Sequence, residues 1–270
     1  MIFTEPQPFA EAIESQAVRS VLPTSASSAQ LSAIGPELRE RAFFSARTTN
    51  ATYLTRVQGL VDGILTPENA LPGQHMDTAT ARLKMKGMLT EIGSQPSAKD
   101  RGTIRDLSSD SRLNLILDTQ VKMADGYGYW KQGQDQDILD AFPAQELIRE
   151  EDRDKPRNWV TKWRNAGGQF YDGRMIALKN DVIWVRISAF GLPYPPFDFN
   201  SGMGVIDVDR GEAQDLGVIG ENEQVAPQDR KFNEDLEMSA PDRQGSLFTA
   251  LLQTLGDSAI FSDGVLSLKL

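Results

Sequence analysis

Cysteine is absent from this chain, and histidine occurs once, as His75. The first absence excludes disulfides, thiolate metal ligands and cysteine nucleophiles. The second excludes any site built from several histidines and leaves Ser-His-Asp catalysis one residue to use. His75 follows a Pro/Gly loop, where we expect an ordinary surface side chain. No stretch approaches the roughly 20 apolar residues of a membrane-spanning helix, and the opening MIFTEPQPFAE lacks the basic region of a signal peptide. We therefore expect a soluble protein that is not exported.

The net charge of −10 is unevenly distributed along the chain. Residues 1–105 carry a net charge of +1, residues 106–220 carry −6, and residues 221–270 carry −5. An acidic body is repelled by nucleic-acid phosphates. Any contact with DNA must therefore be local.

The N-terminal half shows the spacing of amphipathic helices. We expect a short helix from Phe9 to Val21, followed by a turn-rich linker, so that residues 1–35 form an N-terminal arm. Pro36 suits the first position of a long helix, and Asp77 can cap the next one. The apolar stripes of these two helices are Tyr53, Leu54, Val57, Leu60, Val61, Ile64 and Leu65, then Ala81, Met85, Met88, Leu89 and Ile92. Residues 36–105 are therefore predicted to form a helical hairpin.

A third long helix is expected after Asp106 or Ser108. Its stripe contains Leu113, Ile116, Leu117, Val121 and Ala124, and it ends in the aromatic segment 126–130. Beyond Gly133 the pattern changes to short strands at 144–149, 176–178 and 182–187, with helices inside 156–168 and at 209–216. The segment 191–202 can be neither helix nor central strand because of its three prolines. The predicted fold class is α+β, with a helical N-terminal half and a small mixed α/β C-terminal half.

Several acidic clusters could in principle carry chemistry. Glu150, Glu151, Asp152 and Asp154 alternate with Arg149, Arg153, Lys155 and Arg157, a pattern typical of ion pairs in a solvated loop. Asp198, Asp207 and Asp209 could gather around a divalent cation, but their spacing does not match an EF-hand. No Gly-Lys-Ser/Thr phosphate loop occurs. We predict no catalytic, cofactor-binding or metal-binding residues, and an acidic-residue hydrolase or transferase is the enzymatic alternative.

One segment combines cationic and aromatic side chains. Arg157, Trp159, Lys162, Trp163 and Arg164 could contact a protein partner, or stack on and pair with a nucleic acid. Alternatively, the tryptophans belong to the core, because a mixed α/β domain of this size needs large aromatic residues inside it. The core interpretation is preferred for the tryptophans.

Four segments resemble the Mu F-like family of phage minor head proteins. The helix that begins near Arg112, RLNLILDTQVKMADGYGYWKQG, is similar to the helix that opens the family's domain. The family's domain ends with a loop of the form Pro-Pro-x-His-Pro-Asn-Cys-Arg-Cys, which Pro195, Pro196 and Asn200 match. Asp198 replaces the family's His, while Ser201, Gly202 and Met203 replace its Cys, Arg and Cys. The segment from Gly204 resembles the family's exit strand and closing helix, and Asp172-Gly173 resembles the step before the loop.

This resemblance covers residues 106–220 and carries an expected function. It implies a low-copy protein of the phage or prophage head, located beside the portal and assembled in the host cytoplasm. Its expected partners are the portal protein and the major capsid or scaffold protein, with local contact to packaged DNA and none to a membrane. Residues 221–270 would be an acidic C-terminal extension. The resemblance implies a structural protein that assists assembly and DNA packaging or ejection, not an enzyme.

Overall fold

The computed structural model describes residues 10–17, 19–25, 27, 42–66 and 76–228, together with three strands between 237 and 268. The helices are α1 (Ala10–Ala17), α2 (Ala51–Leu65), α3 (Thr78–Glu91), α4 (Asp110–Gln132), α5 (Gln136–Ala141), α6 (Trp159–Asn165), α7 (Ile183–Ile187) and α8 (Arg210–Asp215). The strands are β1 (Ser20–Val21), β2 (Ala42–Phe43), β3 (Ala144–Arg149), β4 (Ile176–Leu178), β5 (Met203–Val208), β6 (Glu237–Ser239), β7 (Ala259–Ser262) and β8 (Val265–Leu268). The predicted α+β fold class, with a helical N-terminal half, is confirmed.

The chain divides into two compact units. Unit 1 comprises residues 1–121 and 232–270, and unit 2 comprises residues 122–231. Helix α4 therefore contributes its first half to unit 1 and its second half to unit 2. Among the described residues, no helix combines the length and the apolar composition needed to cross a bilayer.

Helices α2 and α3 of unit 1 begin at side-chain caps. Asn50 accepts a hydrogen bond from the Tyr53 amide, and Asp77 accepts one from the Thr80 amide, as predicted for Asp77. The predicted stripe of α2 is buried except at Ile64, and that of α3 is buried at Ala81, Met85 and Leu89, while Ile92 is exposed. An ion pair of 2.8 Å joins Arg56 of α2 to Glu91, the last residue of α3.

Two N-terminal predictions are wrong in their boundaries. The predicted helix from Pro36 to Leu65 is excluded, because Ala42–Phe43 is a strand. Helix α2 begins only after Asn50, whose backbone is extended. Helix α1 stops at Ala17, and Ser20–Val21 pairs with Ala42–Phe43 in parallel. Thr24 likewise forms a bridge with Thr48, so this part of the predicted arm is paired with the chain around 42–48. Pro36 and His75 lie outside the described residues.

Helix α4 begins at Asp110, close to the predicted start, and it extends through the aromatic segment to Gln132. In unit 1, its Arg112 guanidinium donates to the Ser45 hydroxyl at 2.6 Å and to the Ala46 carbonyl at 2.8 Å. The C-terminal part of unit 1 contains an antiparallel sheet in the order β6-β8-β7. The spacing of apolar residues at 246–255 predicts a further helix, and these residues lie outside the part of the chain that the structure describes.

Unit 2 is built on an antiparallel sheet in the order β4-β3-β5. Because side chains alternate along a strand, the sheet has two apolar faces. One face packs its Leu147, Ala177 and Met203 against α6 and α7, in a cluster that contains Trp159, Trp163, Ile183, Trp184, Ile187 and Phe197. The other packs its Ala144, Ile176 and Val208 against Leu139 of α5, Ala213 of α8, Ile219 and Val225. Two separate cores therefore fix the sheet between helical layers.

Residues 182–187 form a helix and not the predicted strand. Ile183, Trp184 and Ile187 are buried at helical spacing, while Val182 and Arg186 are exposed. The Asp181 carboxylate accepts from the Ile183 amide at 2.7 Å, and the Trp184 indole donates to the Leu178 carbonyl at 2.8 Å. These contacts with the chain just before it stabilise a single helical turn, although the segment is rich in β-branched residues. The other predicted elements of unit 2, β3, β4, α6 and α8, are confirmed.

Candidate functional site

The proline loop, residues 191–202, is extended and irregular, as the prolines predict. Its beginning packs against α4: a Cβ at Gly126 would overlap the Pro195 carbonyl, and Tyr194 lies edge-to-face with Tyr127 at 5.8 Å between ring centroids. Pro196 is buried and Pro195 half-buried. The loop is therefore fixed to the helix by backbone contact.

The middle of the loop is anchored in the core. Phe197 is fully buried and stacks on Trp184 at 5.9 Å, and its carbonyl accepts from the Ala189 amide at 2.7 Å. Next to it, Asp198 pairs with Arg157 at 3.2 Å and with Lys162 at 3.5 Å. Both cations belong to the segment singled out from the sequence. Asp198 thus connects the proline loop to Lys162 of α6 and to Arg157, which lies just before that helix.

The tip of the loop is exposed although its two ends are fixed. Phe199 is 41% exposed and leans edge-to-face on Phe190 at 4.8 Å between centroids. Asn200 is exposed and adopts a φ of +50°, a region that asparagine tolerates better than most residues. Ser201 is buried, and its hydroxyl accepts from the Met203 amide at 3.3 Å. The exposed Phe199 side chain therefore lies on a loop whose two ends are both fixed.

The tryptophans are core residues. Trp130, Trp159, Trp163 and Trp184 are all buried, which confirms the core interpretation. The Trp163 indole donates to the Gln169 carbonyl at 2.7 Å and meets Trp184 edge-to-face at 5.3 Å. Their rings are consequently not available for stacking on a base. The exposed or half-exposed side chains of the segment are Arg157, Lys162 and Arg164.

A cationic depression, which sequence reasoning missed, lies on the exposed side of α6. It has a volume of about 530 Å³ and is lined by Asn158, Thr161, Lys162, Asn165, Ala166 and Arg186. The first four of these lie on one face of α6, at the helical spacing of three and four residues, and this polar stripe was visible in the sequence. Arg186 could not be placed there, because the segment that carries it was predicted to be a strand.

Three of the carboxylates weighed as catalytic or metal-binding groups, those of Glu151, Asp207 and Asp209, have other partners. Glu151 bonds to Lys122 and Arg153, which hold the pKa of its carboxyl below the usual range. Asp207 pairs with the buried Lys179 at 2.9 Å, and Asp209 caps α8 by accepting from the Glu212 amide at 2.9 Å. Within the described residues no group of His, Asp and Glu side chains could hold a metal ion.

Two further polar groups are notable for their burial. The Tyr53 hydroxyl in unit 1 has no hydrogen-bond partner among the described residues, and burial raises its pKa. Burial also raises the pKa of Asp125, a residue of α4 that belongs to unit 2 and directly precedes Gly126, on which the proline loop packs.

Comparison with known proteins identified no relative: no family model, no curated protein and no solved structure matches the chain.

Proposed function

We propose that this chain is a minor head protein of a phage or prophage, a structural component that docks on the portal or inner capsid and assists head assembly and DNA packaging. The four segments that resemble the Mu F-like family are its starting point. The contacts that the proline loop makes within unit 2 provide further support.

The observation that carries the proposal is the stiffness of the proline loop. Its chain is fixed at Gly126, at the buried Phe197 and at the Asp198 ion pairs, while Phe199 and Asn200 remain exposed at its tip. A rigid loop loses little conformational entropy when it binds, so its exposed groups contribute more of their contact energy to affinity. Exposed aromatic side chains on such supports are common centres of protein–protein interfaces. This geometry favours docking.

The alternative of an acidic-residue hydrolase finds less support. Asp198, Asp207 and Glu151 each pair with a lysine or arginine, and Asp209 caps a helix. A general acid or base instead needs a carboxyl whose proton is free to move to a substrate. These four carboxylates are placed to stabilise the fold.

The docking proposal can be tested with purified proteins of the phage that encodes the chain. The affinity of the full-length chain is measured for immobilised portal protein and for immobilised major capsid protein. At least one of the two should bind it. The Phe199→Ala variant should lower that affinity by about tenfold or more, since a central aromatic contact is typically worth 2 kcal/mol. Ile206→Ala is the matched control, because Ile206 is equally exposed, at 46% against 41%, on strand β5 of the same unit. Its affinity should stay within about threefold of the parent, as for a residue outside the contact.

Retention by neither protein would overturn the proposal. An equal loss of affinity in both variants would show that the loop tip is not the docking element. Unchanged tryptophan fluorescence of both variants would verify that their folds are intact.

A further inference from the structure

We propose that the cationic depression on unit 2 binds the phosphates of a nucleic-acid backbone. The proposal deepens the proposed function, on which it rests for the choice of DNA among phosphate polymers. Its physical basis is the chemistry of the depression itself.

Every side chain that lines the depression, except that of Ala166, can donate a hydrogen bond. Lys162 and Arg186 supply charge, the Asn158 and Asn165 amides and the Thr161 hydroxyl supply neutral donors, and no carboxylate takes part. Phosphate oxygens accept hydrogen bonds and carry negative charge, so they match such a lining. A metal cation would find no anionic ligand here.

Of the two charged residues in the lining, Arg186 is the one whose charge is not paired with a carboxylate of the described chain. Its side chain is exposed, and within the described residues its guanidinium has no hydrogen bond and no ion pair. It lies beside Gly167, where a Cβ would come within 3.8 Å of its Nη1. An exposed arginine without an internal hydrogen bond can bind a phosphate without first breaking such a contact.

The charge around the depression is positive although the chain as a whole is acidic. Arg157 and Lys162 share the carboxylate of Asp198, whereas Arg164 lies over the Phe170 ring at 5.4 Å and has no carboxylate partner in the described chain. The two cations that line the depression itself are Lys162 and Arg186, and of these Arg186 forms no ion pair within the described chain. Because the Debye length is about 8 Å at physiological salt, these two charges act strongly on a ligand that enters the depression, while charges much farther away are screened.

The shape of the depression favours a polymer over a small nucleotide. The site is open to solvent along α6, and the neighbouring Trp159 and Trp163 rings are buried, so no aromatic face is offered to a base. Small-molecule sites usually enclose most of their ligand. A backbone that passes across the surface needs only charge and donors, without sequence preference.

The test is binding of the full-length chain to fluorescein-labelled duplex DNA, measured by fluorescence anisotropy at several salt concentrations. Binding should weaken steeply with salt. Arg186→Gln should weaken it by roughly three- to tenfold and reduce the slope of log K against log salt by about 0.9, the value for one lost phosphate contact. Arg105→Gln is the matched control, since Arg105 is exposed and its side chain has no partner among the described residues. It should change neither quantity.

Two competitors distinguish the sources of negative charge. Unlabelled DNA should displace the probe, whereas inorganic phosphate at the same phosphate concentration and poly-glutamate at the same charge should displace far less. No DNA binding at low salt, or equal binding by the Arg186→Gln variant, would overturn the proposal. Equal displacement by inorganic phosphate would indicate a free-phosphate site, and equal displacement by poly-glutamate an acidic protein partner; either result contradicts it. Failure of DNA binding would leave retention by the portal or capsid protein untouched, so the two proposals fail separately.

Discussion

Gly126 of α4 lies against Pro195 of the proline loop so closely that the Pro195 carbonyl occupies the space of a side chain at position 126. This contact joins two segments that are far apart in sequence, and it depends on the absence of one methyl group. It is therefore a sensitive point of the fold of unit 2.

The Gly126→Ala variant should lower the free energy of unfolding by about 2 kcal/mol, because overpacking outweighs the gain in helix propensity. Urea titration followed by tryptophan fluorescence will measure it, since all four tryptophans belong to unit 2. The control is Gly87→Ala in α3, where a Cβ meets nothing within 4 Å. By circular dichroism that variant should be equally stable or up to about 1 kcal/mol more stable. A Gly126→Ala variant as stable as the parent would show that the loop is not packed on α4.

Arg174 forms a second connection within unit 2. Its guanidinium donates to Glu146 of β3 at 2.7 and 2.9 Å and to Glu212 of α8 at 2.5 Å. The Arg174→Gln variant should lose about 1–2 kcal/mol, a discounted value because the arginine is partly exposed. Arg186→Gln is the control in the same unit and should stay within about 0.5 kcal/mol of the parent. Equal stability of the two variants would mean that the ion pairs contribute nothing net.

Asp106 predicts an acid-sensitive contribution to stability. Its carboxylate accepts from the Ser108 hydroxyl at 2.6 Å and from the Gly102 and Ser108 amides at 2.8 Å each, and these bonds hold its pKa below the usual value. A lowered folded-state pKa stabilises the fold above the unfolded pKa of about 3.9, and this contribution is lost as the pH falls through the folded value. Asp106→Asn should therefore cost about 1 kcal/mol at pH 7 and progressively less below about pH 4.

Thermal unfolding followed by circular dichroism from pH 7 to pH 3 will measure this difference. Asp154→Asn is the control, because Asp154 is exposed and makes no hydrogen bond or ion pair within the described chain. A stability difference for Asp106→Asn that stays constant with pH would contradict the assignment.

For Asp125 we expect the opposite effect on stability at neutral pH. Burial raises its pKa, so the folded state bears a cost for the carboxylate above that pKa, and the cost disappears when the group is protonated. Asp125→Asn should thus stabilise unit 2 at pH 7 by up to about 1 kcal/mol, and the gain should vanish near pH 3. Urea titration at both pH values, with tryptophan fluorescence as the signal, will measure it. Destabilisation at pH 7 would show that the carboxylate makes a favourable contact.

Local signals in the sequence predicted much of the fold. The cap Asp77 and the apolar stripe of α2 located helices because they act within a few residues of the chain. The apolar character of residues 182–187 suits a strand, whereas the hydrogen bond from the Ile183 amide to the Asp181 carboxylate and the fit of Trp184 into the core make 183–187 helical. The break before Asn50 was missed because the pairing of β1 with β2 is a contact between distant residues.

The candidate site was predictable only in part. Three prolines indicated a stiff loop, but its support on Gly126 and the pairing of Asp198 with Arg157 depend on tertiary contacts. The depression forms because α6 and α7 lie side by side, which brings Arg186 of α7 next to the polar residues of α6. No local pattern encodes that arrangement.

Quantitative mass spectrometry of purified particles, produced by the host that encodes this chain, tests the central claim most directly. A minor head protein should be present in DNA-filled heads, together with the portal protein and at a copy number far below that of the major capsid protein. Particles that contain the portal and capsid proteins but not this chain would contradict the account.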